Sequence, residues 1–192
     1  MQVYACVYTA GGDFLLASKR LVGYYFTSTK GGVIVPEGEE LNPRSKDALR
    51  YALPGGKKNN SETIEAGALR EWKEETNCQF EPDNTQSMNW TAFGAGYFLV
   101  SSEALLEMRN RFADPVLPAA NRAADQVRDH EIKHYAEIHV FNPQAPADNE
   151  LAALDRWSVI TDWQRIEEWE GDKAVGWFFT ILQHLRTTIL AS

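Results

Sequence analysis

Two short apolar segments open the chain, and a pair of glycines separates them. Residues 3–8 are continuously apolar, Gly11 and Gly12 follow, and residues 14–17 are apolar again. Glycines between two such runs provide the backbone freedom that a tight turn needs. The pattern therefore predicts a β-hairpin whose first strand is buried.

The clearest helical pattern lies at residues 61–76. Its apolar and small positions recur at the spacing of one helix face. These positions are Ile64, Ala68, Leu69 and Trp72. Asn60, Ser61 and Thr63 are each suited to cap the first turn. The sequence predicts a helix that begins near these capping residues.

Weaker patterns continue to the end of the chain. They predict a strand at 90–100, helices at 102–112 and 118–128, strands at 134–141 and 156–160, and a closing helix at 172–190. Residues 142–149 are predicted to form a loop. The inner face of the closing helix carries Trp177, Phe178, Ile181 and Leu185. We find no internal repeat or linker and expect one α+β domain over residues 1–192.

Residues 21–50 have a mixed pattern that predicts a second hairpin and a polar loop. Tyr24, Tyr25 and Phe26 lie within this segment. Aromatic faces of this kind can stack on a nucleobase. A strand with one packed face is the commoner reason for such a run, and we favour it.

Composition narrows the function classes. The chain has 192 residues, of which 44% are hydrophobic and 24% charged, as in ordinary globular proteins. Its 19 Lys and Arg residues face 27 Asp and Glu residues, so the formal net charge is −8. This sign disfavours a nucleic-acid polymer or an anionic membrane as partner. A phosphate-rich ligand would need a local source of positive charge.

Compartment signals are few. Cys6 and Cys78 are too few for a disulfide framework, which favours a reducing compartment. No basic stretch precedes the first apolar run, so the N-terminus does not resemble a signal peptide. The longest apolar stretch falls far short of the ~20 residues of a membrane span. We therefore expect a cytoplasmic protein.

Three carboxylates share one face of the helix predicted at 61–76. Glu71, Glu74 and Glu75 stand at i, i+3 and i+4, where side chains are neighbours. Like charges at this spacing repel, and only Arg70 offers obvious relief within the cluster. A divalent cation would convert this repulsion into coordination. Carboxylate oxygens without Cys or His favour magnesium or manganese over zinc.

The segment before this helix is suited to a phosphate. Gly55 and Gly56 carry no side chain, so their backbone can approach a ligand closely, and Lys57 and Lys58 supply positive charge. Metal and lysine together could hold a polyphosphate and stabilise an attacked phosphoryl group. The alternative is a solvent-exposed acidic face that follows a tight turn. The two interpretations have nearly equal support.

A second motif indicates a different enzyme class. The string HEIKH, from His130 to His134, fits the two-histidine zinc peptidase pattern, which needs both histidines on one helix face. Lys133 places a charge inside the motif, and the residues after His134 alternate like a strand. We therefore interpret the match as chance.

The segment from Gly56 to Cys78 resembles the box of the Nudix hydrolases. That box reads Gly, five residues, Glu, seven residues, Arg-Glu, an apolar residue, any residue, Glu-Glu, any residue, Gly and an apolar residue. The matching positions are Gly56, Glu62, Arg70, Glu71, Trp72, Glu74, Glu75 and Cys78. Asn77 replaces the last glycine. That position is expected to need a left-handed backbone, which Asn tolerates.

The resemblance implies an α/β/α sandwich with a mixed sheet between helices. It also implies hydrolysis of a nucleoside diphosphate linked to a second group, with Mg²⁺ or Mn²⁺. By position, Glu71, Glu74 and Glu75 would ligate metal, with the Gly55 carbonyl as a further ligand. Dimers are common in the family, so the resemblance leaves a homodimer open.

The remaining roles come from the same resemblance. Arg70 would orient a carboxylate, and Glu62 would support the box. Lys57 and Gly56 would meet phosphate, and Glu150 lies in an acidic loop that in some relatives supplies a ligand or base. The base varies within the family; Glu71 is our first choice, and Glu74 is also assigned to catalysis. Residues 21–50 would be an insertion that sets substrate specificity.

Two other functions remain as hypotheses. A catalytically silent Nudix domain could bind a nucleotide as a sensor, although the box acids and Arg70 are all present. A zinc peptidase built on HEIKH is the remote alternative, and it would lose nothing when the box glutamates are replaced.

Overall fold

A computed structural model describes residues 1–21, 49–173 and 175–191. The second hairpin predicted at 21–50, with Tyr24, Tyr25 and Phe26, lies almost entirely outside the described residues. The described strands are β1 Gln2–Tyr8, β2 Asp13–Lys19, β3 Tyr51–Ala52, β4 Gly55–Lys57, β5 Asn84–Asn89, β6 Phe93–Leu99 and β7 Leu151–Ser158. The helices are α1 Ile64–Thr76, α2 Ser102–Arg111, α3 Leu117–Arg128, α4 Tyr135–Phe141, α5 Trp163–Glu167 and α6 Gly176–His184.

The described strands form a mixed sheet centred on β1. One edge of β1 pairs with β6 in parallel along its whole length. Its other edge pairs antiparallel with β4 and, at Tyr8 and Phe14, with β2. β3 pairs with β2, so the segment that carries β3 and β4 fills the gap where β1 and β2 diverge. This arrangement inserts the glycines of β4 into the middle of the sheet.

Helices cover both faces of the sheet because β1 alternates. Val3, Ala5 and Val7 pack beneath α1 and α2. Cys6 and Tyr8 point the other way and pack beneath α5 and α6. The predicted sandwich of a mixed sheet between helices is therefore confirmed.

The helix predicted at 61–76 is confirmed as α1, and Thr63 is its cap. The Thr63 side chain accepts a hydrogen bond from the backbone N–H of Ala66. The opening hairpin, the strand near 90–100 and the helices at 102–112 and 118–128 are also confirmed. The closing helix begins later than predicted, at Gly176, and continues into a π-helical turn, Leu185–Ile189.

The prediction of a strand at 134–141 is wrong, because this segment forms helix α4. Glu137 caps the helix by accepting hydrogen bonds from the backbone N–H groups of Lys133 and His134. Only Ile138 of the helix is buried. In a segment this short, a two-residue alternation and a helical period cannot be separated.

The strand predicted at 156–160 is displaced. β7 begins at Leu151 because residues from Leu151 onward pair with β2, and it ends at Ser158. The Ser158 hydroxyl accepts hydrogen bonds from the backbone of Ile160 and Thr161, which turns the chain. Four of the described strands and helices were not predicted: β5, a polar edge strand, and the short elements β3, β4 and α5.

Asn77 ends α1 in the left-handed conformation expected for the glycine position. Its φ is 48° and its ψ is 24°. Its side-chain amide donates a hydrogen bond of 3.1 Å to the carbonyl of Gln144. Asn therefore supplies both the backbone geometry and a tether to the loop that precedes β7.

We expect Asn77→Ala to lower the free energy of unfolding by about 1 kcal/mol, because alanine resists the left-handed region and loses the tether. Asn77→Gly should stay within about 0.5 kcal/mol of the parent, since glycine accepts this backbone. Urea unfolding measures both variants. Asn60→Ala, at an exposed turn without a positive φ, is the matched control. Equal losses for alanine and glycine at position 77 would contradict the backbone argument.

Candidate functional site

A cleft of about 470 Å³ lies at the end of the sheet where β1 begins and β2 ends. Its lining includes the glycines of β4, Glu75 of α1, Lys19 of β2 and Glu150 just before β7. These residues come from separate parts of the chain. The cleft therefore exists only in the folded protein.

The two glycines of β4 permit close packing at the floor of this cleft. A Cβ atom on Gly55 would overlap the carbonyl oxygen of Val3 and lie 2.8 Å from the Cα of Tyr4. A Cβ atom on Gly56 would overlap the carboxylate of Glu71. The bare backbone predicted from Gly55 and Gly56 therefore lies beside the acidic helix.

Arg70 links the acidic face of α1 to the loop before it. Its guanidinium donates hydrogen bonds of 2.8 Å to Glu62 and Glu71 and one of 3.2 Å to Glu74. It also donates to the backbone carbonyl of Lys57 at 2.9 Å. One planar cation therefore holds three carboxylates and the end of β4 together.

The pKa values of Glu62 and Glu71 shift in opposite directions. The hydrogen bonds from Arg70 lower the pKa of Glu62 to about 2. For Glu71, burial raises the pKa, and Arg70 offsets only part of that effect. Glu62 is therefore held firmly as an anion, whereas Glu71 pays a desolvation cost for its charge.

Glu75 is the most buried carboxylate of the site, with 4% of its surface exposed. Burial raises its pKa well above the ordinary value, and Asp148 and Glu150 raise it further. The ammonium of Lys19 acts in the opposite direction. A carboxylate so placed, facing a cleft, is costly for the fold and suited to binding positive charge.

The loop before β7 brings further polar groups to Glu75. The backbone N–H of Asp148 donates to the carbonyl of Glu74 at 2.8 Å, which fixes the loop on the end of α1. Burial, followed by the charge of Glu150, raises the pKa of Asp148 to about 8. In the described part of the chain, Asp148 Oδ1 and both side-chain polar atoms of Asn149 are buried without a hydrogen bond.

Lys19 is a site residue that was not predicted from the sequence. Its ammonium lies 2.6 Å from Glu150 Oε2 and lines the cleft. No motif marks it, because it stands at the end of an ordinary strand far from the box in sequence. Its pairing partner arrives only through the β2–β7 register, in which Lys19 is opposite Leu151.

The two lysines after the glycines differ in position. Lys57 is exposed and lines the cleft. Lys58 instead donates to the backbone carbonyls of Asn59 and Glu62, at 2.8 and 2.6 Å. Of this pair, Lys57 is therefore the one placed to meet a ligand.

The acidic side chains are not arranged as a finished metal cage. Among the described residues, no group of three or more His, Cys, Asp or Glu side chains converges closely enough to hold an ion. Arg70 instead occupies oxygens of Glu71 and Glu74. The donor chemistry nevertheless fits a hard cation, since buried Glu75 and the unpaired Asp148 Oδ1 offer oxygen ligands only.

The HEIKH string does not form the zinc site of a peptidase. It lies between α3 and α4 rather than on one helix. His130 has a φ of 60°, and His134 is extended. Two histidines in this backbone do not share a helix face, so the match is a chance one, as expected.

Within the described residues, each helix is too short or too polar to cross a bilayer.

Three solved structures are similar to part of the chain. A bifunctional NMN adenylyltransferase/ADP ribose pyrophosphatase from Francisella tularensis has 18% identity and a TM-score of 0.32, over 52% of this chain and 26% of that one. A MutT protein from Methanosarcina mazei Go1 has 24% identity and a TM-score of 0.25, over 51% and 58% of the two chains. A mutT/nudix family protein from Listeria innocua has 20% identity and a TM-score of 0.34, over 56% and 68%.

The matched region is thus a quarter of the Francisella chain, at 26%, and little over half of the Methanosarcina chain, at 58%. No curated protein matches the chain. The family model of the NUDIX domain matches residues 3–175, a span that includes the glycine segment, α1 and the loop before β7. The chain therefore belongs to the NUDIX domain family.

Proposed function

We propose that this protein is a divalent-cation-dependent pyrophosphohydrolase that cleaves a nucleoside diphosphate linked to another group. The observation that carries the proposal is the position of buried Glu75 in a cleft that it shares with Gly55, Gly56 and Lys57. Buried carboxylates attract a cation, and a bare backbone beside a lysine accepts phosphate. The family as a whole uses divalent metals and acts on small nucleotides, which supports this assignment.

Glu71, Glu74 and Glu75 would hold the cation, Mg²⁺ or Mn²⁺, with the Gly55 carbonyl as a further ligand. Hard divalent ions prefer such an oxygen set. When bound, the cation supplies positive charge to the oxygens of the diphosphate. An acidic protein needs this charge, because its net field repels the substrate.

The chain's own groups would position the substrate and move the proton. Lys57 and the Gly56 backbone contact phosphate at the floor of the cleft. Glu71, with its raised pKa, takes the proton of the attacking water in our first assignment, and Glu74 is the alternative base. Arg70 orients these carboxylates and acts with them in catalysis.

Glu62 supports the box through Arg70, to which it presents both carboxylate oxygens. Glu150 is proposed to contact the substrate, or to serve as a ligand or base, beside Glu75, where Lys19 holds its carboxylate. We further propose that residues 1–192 form a single domain and that residues 21–50 set substrate specificity. Cytoplasmic localisation also remains part of the proposal.

The purified protein should hydrolyse at least one member of a panel of nucleoside triphosphates, nucleotide sugars, ADP-ribose, NADH and dinucleoside polyphosphates. The assay measures product release in millimolar Mg²⁺ and, separately, Mn²⁺, with a chelator as the blank. A folded protein that binds nucleotides yet cleaves none of them would instead be a sensor. That outcome would contradict the proposed hydrolysis.

Replacing Glu74 or Glu75 by Gln should lower turnover roughly 100-fold or more, since a ligand or base is lost. The metal-free variants should unfold no more easily than the parent, because each change removes one of several neighbouring negative charges. Turnover and thermal unfolding, with chelator and with Mg²⁺, measure both effects.

The parent should be more stable than the variants only when metal is present. A ligand that binds only the folded state stabilises it by about 2.7 kcal/mol at a hundredfold excess over Kd, and the variants should lose part of this gain. Glu65→Gln, on the same helix and bonded to Ser87, is the matched control and should keep both properties. If Glu75→Gln keeps full activity and the full Mg²⁺ shift, the assignment of the metal site is wrong.

Arg70→Lys should lower turnover at least tenfold, although the charge is kept. Lysine has no planar fork and cannot bridge Glu62, Glu71 and Glu74 at once. Steady-state kinetics measures the effect, with Arg128→Lys at an exposed helical pair as control. Unchanged turnover in Arg70→Lys would show that a positive charge alone suffices at this position.

A further inference from the structure

We divide the lining of the cleft into two chemically different halves, because α1 and α6 lie on opposite faces of the sheet. Glu75, Glu150 and Lys19 line one of them. Three aromatic side chains line the other, Tyr4 from β1, Tyr51 from β3 and Trp177 from α6. Trp177, predicted on the inner face of the closing helix, packs against the core on that side of the sheet and is also partly exposed in the cleft.

The glycines of β4 connect the two halves. Gly55 pairs with Tyr4 in the sheet, on the aromatic side. Gly56 lies against the Glu71 carboxylate, on the acidic side. A ligand whose phosphates contact this glycine backbone can therefore extend towards the aromatic rings.

Neighbouring rings hold the aromatic side chains in place. Tyr4 and Trp177 pack with centroids 4.0 Å apart and planes tilted by 31°. Tyr51 packs against Trp157 at 5.2 Å and Trp169 at 5.4 Å. Rings fixed in this way lose little entropy when a ligand packs on them, which favours recognition of a flat group.

We propose that the half of the cleft lined by Tyr4, Tyr51 and Trp177 binds the nucleobase of the substrate, and that Trp177 sets the affinity for it. The inference rests on the proposed function, because it needs a diphosphate over the glycines. A volume of about 470 Å³ is in the range of small-molecule sites. Aromatic faces stack on any nucleobase.

The polar groups beside these rings favour a base over a purely apolar chain. Gln2 and Lys173 line the same region, and both are exposed. An amide can both donate to and accept from the edge of a base, and an ammonium can donate to it. A prenyl or acyl chain has no polar atoms and would make no hydrogen bonds with these groups.

The test compares ligands that differ only in the base. Calorimetric titration of the full protein in Mg²⁺ with AMP and with ribose 5-phosphate should show that AMP binds about tenfold tighter or more. Trp177→Leu should remove this advantage and leave ribose 5-phosphate binding unchanged. Trp177→Phe should keep most of it, because the flat ring remains.

Kinetics provides a second readout on whichever substrate the panel identifies. Trp177→Leu should raise KM by about the factor lost in AMP affinity and leave kcat within about twofold, since the reacting groups are untouched. Trp90→Leu is the matched control, because Trp90 packs on Phe93 and His184 and does not line the cleft. It should leave both constants unchanged.

Fluorescence keeps the test valid even if Trp177→Leu does not fold. AMP should quench tryptophan emission of the parent, and ribose 5-phosphate should not. The quenched component should be missing from Trp177→Phe, which isolates the contribution of this residue. Quenching of equal size in Trp177→Phe would overturn the proposal.

Other results of these experiments would overturn the nucleobase site. If ribose 5-phosphate binds as tightly as AMP while hydrolysis continues, the base site is wrong and the proposed function stands. An equal loss of affinity for AMP and for ribose 5-phosphate in Trp177→Leu would indicate that Trp177 has a structural role. That result would also overturn the proposal. If geranyl diphosphate displaces AMP from the parent but not from Trp177→Leu, the aromatic half of the cleft binds an apolar chain, and the proposal is overturned. Failure to bind nucleotide or pyrophosphate, with no hydrolysis, would overturn both.

Discussion

The geometry of the site depends on the guanidinium of Arg70. The carboxylates of Glu62, Glu71 and Glu74 would repel one another on and beside α1, and Arg70 donates hydrogen bonds to all three. A further bond to the carbonyl of Lys57 fixes the glycine strand against the helix. Arginine is suited to this role because its charge is permanent and its donors form a rigid fork.

Glu75 and Asp148 have no cation that compensates their buried charge to the same degree. Glu75 and Asp148 are driven towards their neutral forms by burial, and Lys19 relieves them only in part. Unpaired buried polar atoms at Asp148 and Asn149 add to this cost. Costly groups of this kind are concentrated at ligand sites, which is the physical support for the cation position that we propose.

Prediction from sequence succeeded where one local pattern was long or strongly constrained. α1 extends over more than three turns, so its apolar period, a cap among Asn60, Ser61 and Thr63, and its left-handed end at Asn77 are all predictable from sequence. It failed at α4, because seven residues carry no unambiguous period and Glu137 decides the conformation through its cap. β5 was missed because an exposed edge strand needs no apolar face.

The sequence by itself determined the shared face of Glu71, Glu74 and Glu75, the bare backbone at Gly55 and Gly56, and the family of the chain. These features are local, because helix period and glycine chemistry act within a few residues. Only the tertiary structure decided that Lys19 and Glu150 meet, and that Tyr4, Tyr51 and Trp177 line the opposite half of the cleft. Those contacts join elements far apart in the chain, and sheet pairing and side-chain packing bring them together without a mark in the local pattern.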